Sequence, residues 1–234
     1  MRAFLFSLAF GLSLACGPRA HIPLVPVATP NMADSAHIAL AKSLAPVLFV
    51  HRDEYFALSR IVAVVHPTKP VIAYHLLWRD DVNGAWIPFT KPTDQEIVWV
   101  GYDSTTHEAT EMWTYWHGAT LHMDWRGRGR PTINVQWGKH GSIPRGLAES
   151  DLPRIKTLNL FYAFTLASHP DIWLGNFTRA GPWGFFHGYK RYRQFTREMP
   201  TEGRLDAVFR TEDTVDLLRT VFGNVYSAKR PWPR

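Results

Sequence analysis

Acidic side chains stand at the start of one predicted strand. Asp94 and Glu96 precede the apolar run 97–100, and in a strand both side chains point to the same face because side chains alternate. Two neighbouring carboxylates repel each other unless a cation, a proton or a basic group lies between them. The pair therefore predicts a site for a cation or for a polar ligand.

Two histidines stand where other predicted strands end. His117 follows the aromatic run 111–116, and His140 follows Lys139 in a glycine-flanked loop after the run 132–137. Carboxylates favour calcium, magnesium or manganese as a bound ion, whereas imidazoles move the preference toward zinc or manganese. We therefore expect one divalent cation as a cofactor. The predicted ligand-binding residues are Asp94, Glu96, His117, Lys139 and His140.

The same residues also fit a plainer interpretation. An Asp-x-Glu pair at a strand start is often a solvated face, and a single histidine is more often packed than liganded. Standard catalytic signatures are missing from the sequence, including the Gly-x-Ser-x-Gly elbow, the phosphate loop and the His-Glu-x-x-His zinc helix. The segment 107–111 has only the first histidine of that last motif.

Three functions remain open on these residues. The first is binding of a polar or anionic ligand, such as a glycan, a lipid headgroup or a small molecule. The second is hydrolysis of a cell-envelope glycan or lipid, with Glu96 or His140 as general base and Lys139 or the ion stabilising negative charge. The third is a structural envelope protein without a ligand.

The N-terminus is typical of an export signal. Arg2 supplies the positive charge, and the apolar run 4–14 is too short to span a hydrocarbon core of about 30 Å. Cys16 is the single cysteine of the chain, and the small residues before it resemble a bacterial lipoprotein cleavage box. We expect a signal peptide over 1–15, a lipid anchor on Cys16 that attaches the protein to a membrane, and a cell-envelope lipoprotein. The alternative is cleavage after Ala15 and a secreted or periplasmic protein.

The composition is that of a mildly basic globular chain. Its 26 Lys and Arg residues outnumber 20 Asp and Glu residues, a formal net charge of +6. Removal of residues 1–15 takes away Arg2 and leaves about +5. This charge favours anionic surfaces such as lipid headgroups or acidic glycans and does not predict nucleic-acid binding. With one cysteine there is no internal disulfide, so the fold must rest on burial.

Strand-like runs dominate the middle of the chain. β-Branched and aromatic residues form runs separated by turn residues, without intervening helices, which favours an antiparallel sandwich or barrel. The predicted strands are 47–50, 61–65, 71–78, 96–100, 111–116 and 132–137. The predicted helices are 33–44 capped by Asp34 or Ser35, 151–167 capped by Ser150, and a helix from Asp213 to residue 222 that Gly223 ends.

These elements predict a mainly β fold, an antiparallel β-sandwich with added helices in a single domain over 33–234. The segment 16–32, which carries prolines at four positions, is expected to be an extended tether between the lipid anchor and this domain.

Four ordered segments resemble a known family. Together they are similar in order and spacing to the vacuolar protein sorting-associated protein sixty-two family, over residues 44–146, and this resemblance implies a β-sandwich without a settled activity. The segments are 44–56, 93–100, 115–118 and 135–142.

The same layout resembles, more distantly, the necrosis- and ethylene-inducing-peptide-like proteins, β-sandwich toxins that hold a divalent ion. Asp94 and Glu96 match the acidic residues of that family's metal-binding segment. The position of that family's metal-binding histidine falls near Lys91 in this sequence. Asp80 or Asp81 matches its upstream acidic ligand. The resemblance implies a metal site, and the predicted ligands are Asp81, Asp94, Glu96, His117 and His140.

Overall fold

The apolar runs of the sequence form two β-sheets and two α-helices in the part of the chain that the computed structural model describes. The structure describes residues 31–52, 54, 56–81, 94–153, 195–223, 229, 232 and 233. The strands are β1 (Val47–His51), β2 (Leu58–Val65), β3 (Val71–Trp78), β4 (Asp94–Tyr102), β5 (Ala109–Trp116), β6 (Ala119–Asp124), β7 (Thr132–Val135), β8 (Ser142–Pro144), β9 (Phe195–Pro200) and β10 (Ala207–Arg210). The helices are α1 (Ser35–Ser43) and α2 (Val215–Phe222), with short 3-10 turns at Glu149–Asp151 and Glu202–Arg204.

The strands pair into one sheet of six and one sheet of four. The larger has the order β10-β2-β3-β4-β5-β6 and the smaller the order β8-β7-β1-β9. Most neighbours are antiparallel, but β1 pairs with β7 and β2 with β10 in parallel. Both parallel partners return to their sheet after long intervening segments, as a parallel pairing requires. The predicted β-rich class with added helices is confirmed, and the sheets are mixed rather than purely antiparallel.

The interior between the two sheets is an apolar cluster. Leu48 of β1 and Ile133 of β7 belong to it together with Tyr74 of β3 and Met112 of β5, all fully buried. The Tyr74 hydroxyl donates a hydrogen bond of 2.8 Å to the carbonyl oxygen of Ala41 in α1. This bond satisfies the one polar atom that Tyr74 carries into the core and fixes α1 against the sandwich.

Part of the outer face of the six-stranded sheet, over β2, β3, β4 and β10, is also buried, because α2 packs on it. Leu218 and Phe222 of α2 form a second apolar cluster with Val62 of β2, Ala73 of β3 and Trp99 of β4. Strands buried on both faces have continuous rather than alternating apolar runs. This double burial explains why the runs 61–65 and 71–78 show no alternation.

The six predicted strands are confirmed, with small changes of boundary, as β1 to β5 and β7. Helix α1 is confirmed, and the Asp34 carboxylate accepts a hydrogen bond of 2.9 Å from the His37 backbone N–H as its cap. Helix α2 ends as predicted before Gly223, which has a φ of +62°. Four strands were not predicted: β6, β8, β9 and β10.

Several predictions fall on residues that the structure does not describe. The signal peptide 1–15, Cys16, the tether up to residue 30 and the predicted helix 151–167 from residue 154 onward lie outside the described residues. Among the helices that are described, none has the length and apolar character needed to cross a membrane.

Candidate functional site

Polar residues from both sheets meet at one end of the sandwich. Strand β3 ends at Trp78, which pairs with Asp94 at the start of β4. The loop from Gln136 to Gly141 joins β7 to β8 in the other sheet. This loop brings His140 within hydrogen-bond distance of Asp94, so the meeting of acidic and imidazole groups that the sequence predicts is present in the structure.

Two backbone hydrogen bonds form within this loop. Gln136 donates its N–H to the carbonyl oxygen of Gly141 at 3.0 Å, and His140 donates its N–H to that of Gln136 at 2.9 Å. His140 has a φ of +52°, which is the left-handed region that residues other than glycine seldom adopt. Such strain persists only where surrounding contacts fix the residue, and it is concentrated at functional sites.

The His140 side chain contacts two carboxylates and two aromatic rings. Its Nδ1 lies 2.9 Å from Asp94 Oδ2, and its Nε2 lies 3.4 Å from Glu54 Oε1. The imidazole stacks on Trp78 with ring centroids 4.1 Å apart and planes 4° from parallel, while Phe56 meets it edge-on. The residue is fully buried.

These two carboxylates keep the His140 imidazole charged. Burial acts against the charged form, but Glu54 and Asp94 outweigh it and raise the pKa of His140 to about 9. Burial likewise works to raise the pKa of Glu54 and of Asp94, yet the imidazolium lowers both. An imidazolium donates from both ring nitrogens, so His140 bridges the two carboxylates as a double donor.

Glu54 is a member of this cluster that was not predicted. Its Oε1 accepts a hydrogen bond of 3.0 Å from the Phe56 N–H, and its Oε2 accepts one of 3.0 Å from the Gly138 N–H. It therefore ties the segment after β1 to the loop that carries His140. The only sequence signal for it was its place in the segment 44–56 that carries the family resemblance.

Lys139 and Asp81 form a second ion pair beside the first. The Lys139 ammonium donates to Asp81 Oδ2, and each side chain is 12% exposed. Burial opposes the charge of Lys139, but Asp81 and then Asp94 outweigh it and raise the pKa of Lys139. Asp80 accepts a hydrogen bond from the Asp81 N–H. Of the two candidates for the upstream acidic ligand, Asp81 is therefore the one paired with Lys139.

Glu96 faces a third cation, which was also not predicted. Its Oε1 lies 3.1 Å from the ammonium of Lys229. Burial outweighs this attraction and raises the pKa of Glu96 to about 8. Glu96 Oε2 is buried and has no hydrogen-bond partner among the described residues. No local pattern marks Lys229, because its place depends on where the C-terminal segment runs.

His117 lies next to the cluster without contacting its carboxylates directly. Its Nε2 is 2.6 Å from Gln136 Oε1, so the loop that carries His140 links the two histidines. His117 has a φ of +44°. Burial lowers its pKa to about 4, and Lys139 adds to that effect while Gln136 opposes it. His117 is therefore a neutral donor at neutral pH.

The predicted divalent ion does not fit this arrangement of side chains. Asp94 faces the His140 imidazolium, Asp81 faces Lys139 and Glu96 faces Lys229. In the described part of the chain, no group of three or more His, Cys, Asp or Glu side chains is arranged to hold a metal ion. A divalent ion would have to displace His140, Lys139 or Lys229 from its carboxylate. The bound divalent ion therefore stays a prediction.

Comparison with known proteins gives no family. No family model matches the chain, and no curated protein matches it. The resemblance to the vacuolar protein sorting-associated protein sixty-two family therefore gains no support.

Several solved structures align with part of this chain. NLPPya in complex with glucosamine aligns over 53% of this chain and 74% of its own, with 14% identity and a TM-score of 0.36. A structure described as a toxin fold that is a basis for microbial attack and plant defense aligns over 55% and 77%, with 13% identity and a TM-score of 0.35. A second toxin fold for microbial attack and plant defense aligns over 64% and 89%, with 12% identity and a TM-score of 0.31. At these values the similarity carries no argument about function.

Proposed function

We propose that this chain is an exported, lipid-anchored β-sandwich protein that binds a polar or anionic ligand where Asp94, His140 and Lys139 meet. The observation that carries the proposal is the buried His140 imidazolium, strained in its backbone and bridging two carboxylates. Buried ion pairs add little stability compared with apolar packing. Perturbed charges and strained residues are concentrated at functional sites.

The partly exposed groups define the ligand chemistry. Lys139 and Asp81 are each 12% exposed, and Asp94 is 15% exposed. An ammonium donor beside carboxylate acceptors suits hydroxyl groups, which both donate and accept hydrogen bonds. The ammonium also suits the oxygens of a carboxylate or phosphate. An oxygen-rich ligand such as a glycan or a lipid headgroup satisfies both requirements.

A ligand panel tests this proposal. Glucosamine, glucuronate and glycerol phosphate are titrated into the purified mature domain, with and without added calcium or zinc, and binding is measured by calorimetry. We expect at least one to bind, and we expect Lys139→Met to weaken that binding on the order of tenfold. Methionine keeps the apolar stem and removes the charge.

Lys42→Met is the matched control, because Lys42 is exposed on α1, away from the cluster. Its affinity should equal that of the wild type. Failure of the whole panel to bind, or equal affinities in the two variants, would remove this function and favour a structural envelope protein.

Hydrolysis of an envelope glycan or lipid is the second candidate function. Glu96 favours it, because a buried carboxylic acid with a pKa of about 8 can donate a proton near neutral pH as a general acid. Larger glycans and lipid esters of the same chemistry, followed by product chromatography, separate turnover from binding. Turnover that is lost by a factor of at least about 100 in Glu96→Gln would establish the enzyme; intact substrates would leave binding as the function.

A further inference from the structure

The ammonium of Lys229 has three partners of different kinds. It lies 3.1 Å from Glu96 Oε1 and donates to the backbone carbonyl oxygen of Gln95. It also lies 4.7 Å from the ring centroid of Tyr115. The side chains of Lys229 and Glu96 are 14% and 8% exposed, so the contact is largely shielded from water.

This combination is specific for a primary ammonium group. A carboxylate and a carbonyl oxygen accept two of its three N–H donors, and an aromatic face attracts the positive charge. A guanidinium is planar and presents a wider fork of donors. A quaternary ammonium has the charge without any N–H. The three partners therefore select for an –NH₃⁺ group on a narrow stem.

We propose that Glu96, the Gln95 carbonyl and Tyr115 form a receptor for a primary alkylammonium group, which Lys229 occupies as an internal ligand. A ligand carrying such a group would compete with Lys229 for this position. The inference deepens the proposed function, since Glu96 belongs to the same cluster, and it names one chemical group that the site accepts.

The C-terminal segment has a second attachment that does not involve Lys229. The Trp232 indole N–H donates a hydrogen bond of 2.8 Å to the Glu212 carbonyl oxygen, and its ring meets that of His66 edge-on at 4.6 Å. Trp232 also packs against the apolar cluster under α2. Truncation of Lys229 should therefore leave the segment attached by Trp232 and the receptor open to an added amine.

Rescue of Lys229→Ala by an amine tests the inference. Thermal unfolding is followed over a pH series that extends above 8, because the pKa of Glu96 is about 8 beside Lys229 and higher once that ammonium is removed. Either n-butylammonium chloride or tetramethylammonium chloride is added at equal concentration. We expect Lys229→Ala to melt several degrees below the wild type. Butylammonium should recover a large part of that loss, whereas tetramethylammonium, which has the charge but no N–H donor, should not.

Two further variants identify the binding position. Lys229→Met keeps the stem in place, so butylammonium should not raise its melting temperature. The double variant Lys229→Ala/Glu96→Gln lacks the carboxylate and should also not respond. If Lys229→Ala does not fold unaided, the same salts are compared by the yield of refolded protein.

An equal response to both salts, or a response that persists in the double variant, would overturn the inference. This outcome is measured on Lys229 variants, whereas the ligand panel is measured on the wild type, Lys139→Met and Lys42→Met. If butylammonium stabilises Lys229→Ala and no panel ligand binds, the receptor is supported and the proposed function is refuted. If a panel ligand binds and butylammonium has no effect, the proposed function is supported and the receptor is refuted.

Discussion

Replacement of His140 by alanine is expected to lower the free energy of unfolding by about 3–5 kcal/mol, which is the usual cost of removing one partner of a buried ion pair. The imidazolium lies 2.9 Å from Asp94 and 3.4 Å from Glu54, and it is fully buried. Without it, Glu54 and Asp94 lose the counter-charge that is hydrogen-bonded to both, and Trp78 loses the ring stacked on it. Urea unfolding of the wild type and the variant measures the difference.

His117→Ala is the matched control for this measurement. Both histidines have positive φ values, +44° at His117 and +52° at His140, so the backbone cost of alanine is similar at the two positions. His117 is neutral and contacts the neutral amide of Gln136. Its loss leaves the buried Gln136 oxygen without this donor and should cost about 1–3 kcal/mol.

Equal destabilisation in the two variants would show that the charge of His140 contributes nothing. A second comparison isolates the charge. Adding Asp94→Asn to His140→Ala should restore part of the lost stability, because one of the two unpaired carboxylates is then neutral. Independent effects of the two substitutions would instead make the double variant less stable than either single variant.

The central strands and the orientation of the acidic pair could be predicted because they depend on local sequence. The runs 61–65 of β2 and 71–78 of β3 are apolar except for His75, since both faces are buried. The alternation of side chains puts Asp94 and Glu96 on one face of β4. The sequence also required a cation, a proton or a basic group between them. The structure supplies His140 for Asp94, and for Glu96 it supplies both a proton and Lys229.

The partners themselves could not be predicted because they depend on distant pairings. Glu54 reaches His140 because β1 lies beside β7, in parallel, so the segments that follow the two strands leave the sheet at the same end. Strand β10 has only four residues and is defined by its pairing with β2. Strand β9 is largely polar and exposed, with a charged middle. None of these features has a periodic signal in its own segment.

The stability of the wild type is expected to be greatest near pH 6.5 and to fall on both sides. His140 has a pKa of about 9 in the folded protein against an ordinary value of 6.5, so its contribution is complete below pH 6.5 and is lost as the pH rises to 9. The shift corresponds to about 3 kcal/mol. Glu96 also lowers the stability as the pH rises. Its pKa is about 8 in the folded protein against an ordinary value of 4.5, so the unfolded chain releases this proton at a lower pH than the folded protein does.

Acidification reverses the balance. Burial lowers the pKa of His75 to about 3 and that of His117 to about 4, so below pH 6.5 the unfolded chain takes up protons that the folded protein does not. The lowered pKa values of Glu54 and Asp94 remove further stability in stronger acid, when these carboxylates must be protonated. Urea midpoints measured between pH 4 and pH 9 give the profile. His140→Gln should make the fall on the alkaline side shallower, with the part due to Glu96 remaining. It should keep the part of the acidic side that depends on His75 and His117. A wild type most stable above pH 8 would contradict the charged state assigned to His140.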